Sequence, residues 1–229
     1  MKKYILIVAL FSMLFGLDYA LEDVNTTSPT FEEIVGPSYF QDQGFPVSIN
    51  YFGWETWGGW RGIFAQLCNL SNTNEWDTNK AVLIGIGKAL GGDSGLNGMI
   101  NQNGVNSPWL QDPEGEVWEA FLGDENAPRK QVILLDQDLT PRYQFQYSGG
   151  SLNNNEISEL VQAIGILVDE ASTILGDMNN DQNLNVLDVI ILVNIALGNA
   201  ELDLNGDING DDGINILDVV LLVNIILGT

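Results

Sequence analysis

Histidine is absent from this sequence of 229 residues, and cysteine occurs once, as Cys68. A serine or cysteine nucleophile that works with a histidine base is therefore excluded, as are histidine-based metal sites. A single cysteine also excludes a disulfide within the chain. Cys68 follows Leu67 on the apolar face of a predicted helix, which favours an inert core thiol over a reactive one.

Basic residues are scarce as well. The chain has 8 Lys and Arg against 31 Asp and Glu, which gives a net charge of −23 at pH 7. Phosphate backbones and anionic lipid surfaces repel such a chain, so neither nucleic acid nor a membrane surface is an expected partner. The length suits one ordinary domain and a small module.

The first twenty residues have the pattern of a secretory signal. Lys2 and Lys3 precede an apolar stretch over residues 4–17, and small residues follow at Gly16 and Ala20. A membrane anchor is the alternative, although the stretch is short for a bilayer span. We expect residues 1–20 to be cleaved, which makes the protein secreted, extracellular or cell-surface-associated. Residues 21–44 are polar with little periodicity and are interpreted as an N-terminal tail or linker, or as an early added strand.

The last fifth of the chain contains one polar pattern twice, thirty residues apart. The first copy comprises Asp177, Asn179, Asp181, Asn183, Asn185 and Asp188, and the second comprises Asp207, Asn209, Asp211, Gly213, Asn215 and Asp218. An apolar run follows each copy and ends at Gly198 or Gly228. Repetition at a fixed period predicts two copies of one supersecondary unit, over residues 177–198 and 207–228.

The spacing within each copy predicts a calcium loop. Oxygen side chains at loop positions 1, 3, 5, 9 and 12, with a backbone carbonyl at position 7, suit a hard cation that takes six or more oxygen ligands. Since neither loop has histidine or cysteine, calcium fits better than zinc or copper. A solvated polar turn before a helix is the alternative, because Asp and Asn also favour turns and helix starts. Two copies in one register favour two calcium ions.

These residues resemble type I dockerin repeats, and the resemblance covers both loops and both following helices, residues 173–229. It implies a small all-α module with two EF-hand-like calcium loops, which docks on a cohesin domain of another protein. Position 6, usually glycine in such loops, is Gln182 in the first copy and Asp212 in the second. Because Asp tolerates positive φ better than Gln, the first site is expected to be the weaker one.

Loop positions 10 and 11 face the partner in many dockerins. Here they are the apolar pairs Val186-Leu187 and Ile216-Leu217, which leaves the class of partner open. Both following helices are apolar all round, and two packed copies bury only one stripe of each. A cohesin-type partner or the chain's own first domain is expected to cover the rest.

Residues 45–172 have an α/β pattern that resembles the thioredoxin fold, a central mixed sheet flanked by helices. Apolar strand signals at residues 46–53, 81–86 and 131–136, and an alternating one at 142–147, are interspersed with helical patterns. The local features that carry the resemblance are residues 56–61, 106–112, 127–128 and 135–138. Thioredoxin-like reductases need two cysteines where this chain has Trp57 and Trp60, and Pro128 stands where the family keeps a cis-proline facing the active site. The resemblance therefore implies a redox-inactive domain.

Two other functions remain open at this stage. One is a thiol-dependent oxidoreductase, thioredoxin- or peroxiredoxin-like, that uses Cys68 alone. The other is a component that acts in polysaccharide degradation, because dockerins often accompany glycoside hydrolases. The aromatic cluster is interpreted as core packing, with an exposed platform for a sugar or peptide as the alternative. It comprises Tyr51, Phe52, Trp54, Trp57 and Trp60. Five acidic residues, none of which forms a recognisable catalytic pair, are interpreted as a solvated face: Glu114, Glu116, Glu119, Asp124 and Glu125.

Overall fold

The computed structural model describes residues 17–56, 58–172, 174–179, 181 and 183–228. Most of the predicted signal, together with Trp57 and Gln182, lies outside these residues. The chain divides into two compact units, Met1–Ala171 and Ser172–Thr229. In the part of the chain that is described, no helix has both the length and the apolar character that a bilayer crossing requires.

A five-stranded mixed sheet forms the centre of the first unit. Its strands are β3 Val47–Phe52, β4 Ala81–Gly87, β5 Trp109–Gln111, β6 Gln131–Leu135 and β7 Pro141–Gln146, in the spatial order β5-β4-β3-β6-β7. The pairs β3·β4 and β4·β5 are parallel, whereas β6 runs antiparallel to both β3 and β7. The nearly continuous apolar sequences of β4 and β6 suit this arrangement, because central strands are buried on both faces.

Helices cover both faces of this sheet. They are α1 Pro37–Asp42, α2 Gly58–Asn72, α3 Gly92–Ile100, α4 Glu116–Leu122 and α5 Asn154–Ser172. Neighbouring residues of β3 point to opposite faces, so Tyr51 packs in one core cluster with Phe64 of α2 and Ile164 of α5. Phe52 packs in the other with Trp118 of α4. The predicted mixed sheet flanked by helices is therefore present.

Residues 21–44 were interpreted as a tail or linker, or as an early added strand, and the second interpretation agrees with the strands found there. This segment contains the two-stranded sheet of β1 Leu21–Glu22 and β2 Ile34–Val35, as well as α1. Val35 and Phe40 are buried in the second core cluster. The few apolar residues of this segment are irregularly spaced, so the sequence pattern does not indicate that any of them is buried.

Two residues just before the boundary predicted at residue 20 contact the rest of the first unit. Tyr19 is buried, and its hydroxyl donates a hydrogen bond of 2.6 Å to Asn50 Oδ1 in the central strand. The backbone N–H of Leu17 donates to the carbonyl oxygen of Leu139 at 2.9 Å. Cleavage after Ala20 would remove both contacts, and the cleavage site stays a prediction.

The second unit consists of two loop–helix copies. The helices are α6 Val186–Ala196 and α7 Ile216–Leu227, with a 3₁₀ turn at Leu204–Gly206 ahead of the second loop. Leu192 and Leu222 occupy equivalent places in the copies, and both are fully buried in the core of the unit.

Each helix of the second unit packs against the glycine that precedes the other copy's loop. A Cβ atom added at Gly176 would lie 2.6 Å from Leu222 Cδ1, and one added at Gly206 would lie 2.5 Å from Leu192 Cδ1. Both distances are shorter than a van der Waals contact, so a side chain at either position would force the leucine to move. The two copies therefore pack on each other reciprocally.

Candidate functional sites

The first loop folds around the carboxylate of Asp181. The Asn179 side chain donates to Asp181 Oδ2 at 2.9 Å, and the backbone N–H of Asn183 donates to Asp181 Oδ1 at 2.9 Å. The pKa of Asp181 is lowered, mainly by the Asn179 hydrogen bond and further by bonds from Asn183 and Asn185. Loop positions 3, 5, 7 and 9 thus come together, and their central carboxylate is ionised at neutral pH.

The second loop repeats these contacts at equivalent positions. The Asn209 side chain donates to Asp211 Oδ2 at 2.9 Å, and the backbone N–H of Gly213 donates to Asp211 Oδ1 at 3.0 Å. The Asn215 side chain donates to the carbonyl oxygen of Gly213 at 3.3 Å. In the first loop the matching bond, from Asn185 to the carbonyl oxygen of Asn183, is 2.9 Å long.

Position 12 of each loop is a fully buried carboxylate. Asp188 accepts hydrogen bonds from the backbone N–H groups of Met178, Asn179 and Asn185, at 3.0, 3.3 and 2.8 Å. Asp218 accepts the corresponding three bonds at 3.0, 3.2 and 2.8 Å. Each carboxylate also completes a capping box, in which the side chain of the Asn185 or Asn215 N-cap bonds the first helical turn. These two residues therefore join the loop to its helix.

Position 6 of the second loop has the backbone conformation that normally requires glycine. Asp212 has φ 65°, in the left-handed region, and Gly210 has φ 69°. Asp visits this region more readily than most residues because its short side chain can bond locally. The substitution noted from the sequence is thus accommodated at Asp212.

The donor set of each loop fits a calcium ion. Position 1 is Asp177 or Asp207, and in both loops its carboxylate accepts a bond from the backbone N–H of position 5, at 3.1 Å in the first loop and 3.2 Å in the second. The remaining donors are carboxylate, amide and carbonyl oxygens, which calcium prefers. Across the described residues, no three His, Cys, Asp or Glu side chains gather as they do in a metal centre built from such groups alone. Each loop has three carboxylates at its ligand positions, so neutral oxygens would have to complete the coordination.

The apolar pairs at positions 10 and 11 of the loops lie on the surface of the second unit. Val186 and Leu187 are 65% and 53% exposed, and Ile216 and Leu217 are 65% and 57% exposed. Exposed Ile190 and Val220 extend the two pairs along α6 and α7. Each helix therefore presents uncovered apolar surface beside its loop.

The positions that resemble a redox site lie where β3 ends and α2 begins. Trp60 is in the first turn of α2, is 9% exposed and packs edge to face on Trp54, with 5.5 Å between ring centroids. The Tyr51 hydroxyl donates to the backbone oxygen of Trp60 at 2.9 Å. The Ala127–Pro128 peptide bond is trans, so Pro128 lacks the cis geometry expected from the family. Of the predicted aromatic cluster, the described members pack into or onto the cores.

Cys68 is fully buried in the core cluster between α2, α5 and the sheet. Burial raises the pKa of its thiol, and hydrogen bonds from Ser107 and Asn106 only partly oppose that effect. A nucleophilic thiolate needs exposure and a lowered pKa. The surroundings of Cys68 therefore disfavour thiol chemistry.

The five acidic residues from which a catalytic pair could have come, Glu114 to Glu125, are all exposed, which agrees with a solvated face. Nearby Asp112 is buried and structural: its carboxylate accepts bonds from the backbone N–H groups of Gly115, Glu116 and Trp118 at the start of α4.

The sequence reading missed two residues at the same end of the sheet, Glu55 and Arg129. Glu55 is fully buried and accepts bonds from the backbone N–H groups of Ala89 and Leu90 and from the indole of Trp109. The Arg129 guanidinium lies over the Trp54 ring, with Cζ 2.9 Å from the ring centroid. An acid and a base in loops look solvated in a sequence, and their burial depends on contacts far along the chain.

Several solved structures have a fold similar to that of this chain. The chain is similar to an uncharacterized conserved protein from Geobacillus kaustophilus at 19% identity and a TM-score of 0.51, over 69% of this chain and 82% of that one. It is similar to a hypothetical protein from Sinorhizobium meliloti at 15% identity and a TM-score of 0.50, over 70% of this chain and 87% of that one. The thioredoxin domain of a thiol-disulfide oxidoreductase from Bacteroides vulgatus aligns at 10% identity and a TM-score of 0.49, over 69% of this chain and 99% of that one. No protein-family model and no curated protein sequence matches the chain.

The first unit is a thioredoxin-like domain. Its strand order, with two parallel pairs on one side of β3 and two antiparallel pairs on the other, and the helices on both faces define this fold. This part of the fold prediction is confirmed.

Proposed function

We propose that the second unit is a calcium-binding, type I dockerin-like module. It attaches the thioredoxin-like domain to a cohesin-type partner in an extracellular or cell-surface assembly. Calcium has a structural role here: it balances the clustered carboxylates and lets each loop close, so binding and folding are coupled. The thioredoxin-like domain is the attached component and is redox-inactive.

The observation that carries this proposal is the equivalence of the two loop–helix copies. In both loops the position 3 side chain donates to the carboxylate of position 5, the buried carboxylate at position 12 accepts the backbone N–H of position 9, and the apolar pair at positions 10 and 11 is exposed. A polar turn that merely precedes a helix has no need for five oxygen donors in a fixed register. Exposed apolar surface on both helices supports a protein partner, since isolated modules rarely leave such surface uncovered.

A thiol-dependent oxidoreductase is the less favoured function. Trp60 stands at one predicted cysteine position, and Cys68 is buried with a raised pKa. Peroxide or disulfide reduction would need a thiolate that a substrate can reach.

Calorimetric titration of the chelator-treated full chain with calcium tests the metal sites. We expect two ions per chain, with Asp177→Ala and Asp207→Ala each removing one. Glu201→Ala, which removes an exposed carboxylate outside both loops, is the control and should still bind two. If each loop variant also binds two ions, calcium does not occupy these loops.

Binding to purified cohesin domains tests the docking role. The full chain is presented to a panel of immobilised cohesins, with calcium and with chelator. We expect retention by at least one member only with calcium, and loss of retention in Val186→Asp/Ile216→Asp. If all cohesins fail while both calcium ions bind, the docking part of the proposal is wrong, and the apolar pairs have another cover.

A further inference from the structure

Positive charge in the first unit is concentrated at one edge of its sheet. This strand-end edge is where β3 and β4 end and β6 begins: the N–H of Lys130 donates to the carbonyl oxygen of Phe52 at 2.9 Å. Four of the 8 basic residues of the chain lie there, namely Arg61, Lys88, Arg129 and Lys130. The charge is conspicuous because the chain as a whole carries −23.

None of these four cations forms an ion pair with a described residue. The ion pairs found in the described part of the chain both involve Arg142, with Asp136 and Glu170. Lys88 donates to the carbonyl oxygen of Glu125 at 2.7 Å, and Lys130 to those of Ser148 and Gly149. Carbonyl oxygens orient these amino groups without neutralising them.

Arg61 is held in the same way. Its Nε donates to the carbonyl oxygen of Glu55 at 2.6 Å. The carboxylate of Glu55 is turned toward the backbone N–H groups of Ala89 and Leu90 and does not pair with Arg61. The buried acid of this edge thus accepts its hydrogen bonds from the segment after β4 and from the Trp109 indole.

Arg129 has the most unusual surroundings of the four. Its guanidinium lies over Trp54, and its Cζ is 5.5 Å from the ring centroid of Trp60. Its Nε is buried without a hydrogen-bond partner among the described residues, and burial lowers the pKa of the group. Asp124 and Glu125, the nearest acids in sequence, bond to Asn126 instead. A partly desolvated guanidinium that packs on an aromatic ring has its planar set of N–H donors held in one orientation, in which they can bind a further partner.

We propose that the strand-end edge is a binding site for a carboxylate group, with Arg129 as its anchor and Lys88, Lys130 and Arg61 supplying the surrounding positive field. A planar guanidinium matches a carboxylate in a two-bond geometry, and its pre-orientation on Trp54 reduces the entropy lost on binding. In open α/β sheets, ligands bind beyond the carboxyl ends of parallel strands, which is where this edge lies.

A sugar ring that stacks on indole is not the ligand favoured by this edge. Trp54 and Trp60 pack edge to face on each other, and Arg129 covers Trp54. Stacking needs a ring face that is free. The shared chemistry is a carboxylate, whether from a free organic acid or from an acidic side chain of a polypeptide.

Calorimetry on the full chain at low ionic strength tests this site with three probes: glutarate, the blocked peptide acetyl-Glu-Glu-Glu-amide and its uncharged analogue acetyl-Gln-Gln-Gln-amide. We expect the glutamate peptide or glutarate to bind and the glutamine peptide to fail. Stronger binding of the peptide than of glutarate identifies a polypeptide source, and equal binding identifies a free acid. Equal binding of the glutamine peptide would overturn the proposal.

Matched substitutions separate a built site from diffuse attraction. Arg129→Gln should weaken binding at least tenfold, and Arg129→Lys nearly as much, because Lys lacks the planar fork. Lys80→Gln removes the same charge at an exposed position before β4, at the other end of the sheet, and should change affinity by less than twofold. Equal losses for Arg129→Gln and Lys80→Gln would contradict the proposal. The thermal midpoint of each variant checks folding, and Arg129→Lys serves alone if Arg129→Gln does not fold.

Discussion

The buried carboxylate of Asp188 provides the sharpest test of how the second unit is stabilised. Asp188→Ala removes the acceptor for three backbone N–H groups, those of Met178, Asn179 and Asn185. Losing a charged acceptor leaves each buried donor unsatisfied at a cost of about 1–3 kcal/mol. Because Asn179 and Asn185 are partly exposed and water can replace part of their bonding, we expect a total loss of about 2–5 kcal/mol.

That loss is comparable with the stability of the whole unit. A unit of the length of Ser172–Thr229 has an unfolding free energy of about 3–9 kcal/mol at ordinary values per residue. Asp188→Ala should therefore leave residues 172–229 largely unprotected, while residues 17–171 remain folded. Because Asp188 is also a proposed calcium ligand, the comparison with the parent protein is made with calcium present.

Hydrogen exchange followed by mass spectrometry measures both units in one sample. Peptides from α6 and α7 should lose protection in Asp188→Ala and, by symmetry, in Asp218→Ala, whereas peptides from β3 and β4 should not change. Glu201→Ala is the control, and an exposed substitution of this kind should change stability by less than about 0.5 kcal/mol. Unchanged protection of α6 in Asp188→Ala would refute the reasoning.

Three further predictions concern the two cores and the thiol. Leu192→Ala and Leu222→Ala should each destabilise the second unit by about 2–5 kcal/mol and to a similar extent, as measured by chemical denaturation; very different losses would contradict reciprocal packing. Cys68 should react with a thiol reagent only after unfolding, since burial raises its pKa and thiolate is scarce at neutral pH; stoichiometric labelling of the native protein would refute this. Tyr19→Phe, which removes the bond to Asn50, should cost about 1 kcal/mol in thermal unfolding, and no loss would argue against its anchoring role.

Much of the thioredoxin-like domain was predictable because its strands are long apolar runs and its helices are amphipathic. The N-terminal segment was not predictable, because Tyr19, Val35 and Phe40 contribute to the core singly, between polar turns.

The two loops of the second unit were easier to predict from the sequence. Many of their hydrogen bonds join residues two to four positions apart, such as Asp181 with Asn179 and Asn183, so spacing in the sequence already implied them. Arg129 on Trp54 joins residues that are 75 positions apart, and no local pattern could have indicated that contact.

The segment that precedes the central sheet covers one edge of that sheet. Asp23 bridges to Leu110 and its carboxylate accepts the backbone N–H of Trp109 at 3.1 Å, so strand β5 has no free edge along this stretch. A fragment trimmed to begin at Phe45 would bare that strand as a template for a neighbouring chain, and aggregation would be the expected result. The other edge strand, β7, starts with Pro141 and carries Arg142. A proline and a charged residue discourage an edge strand from pairing with a strand of another chain.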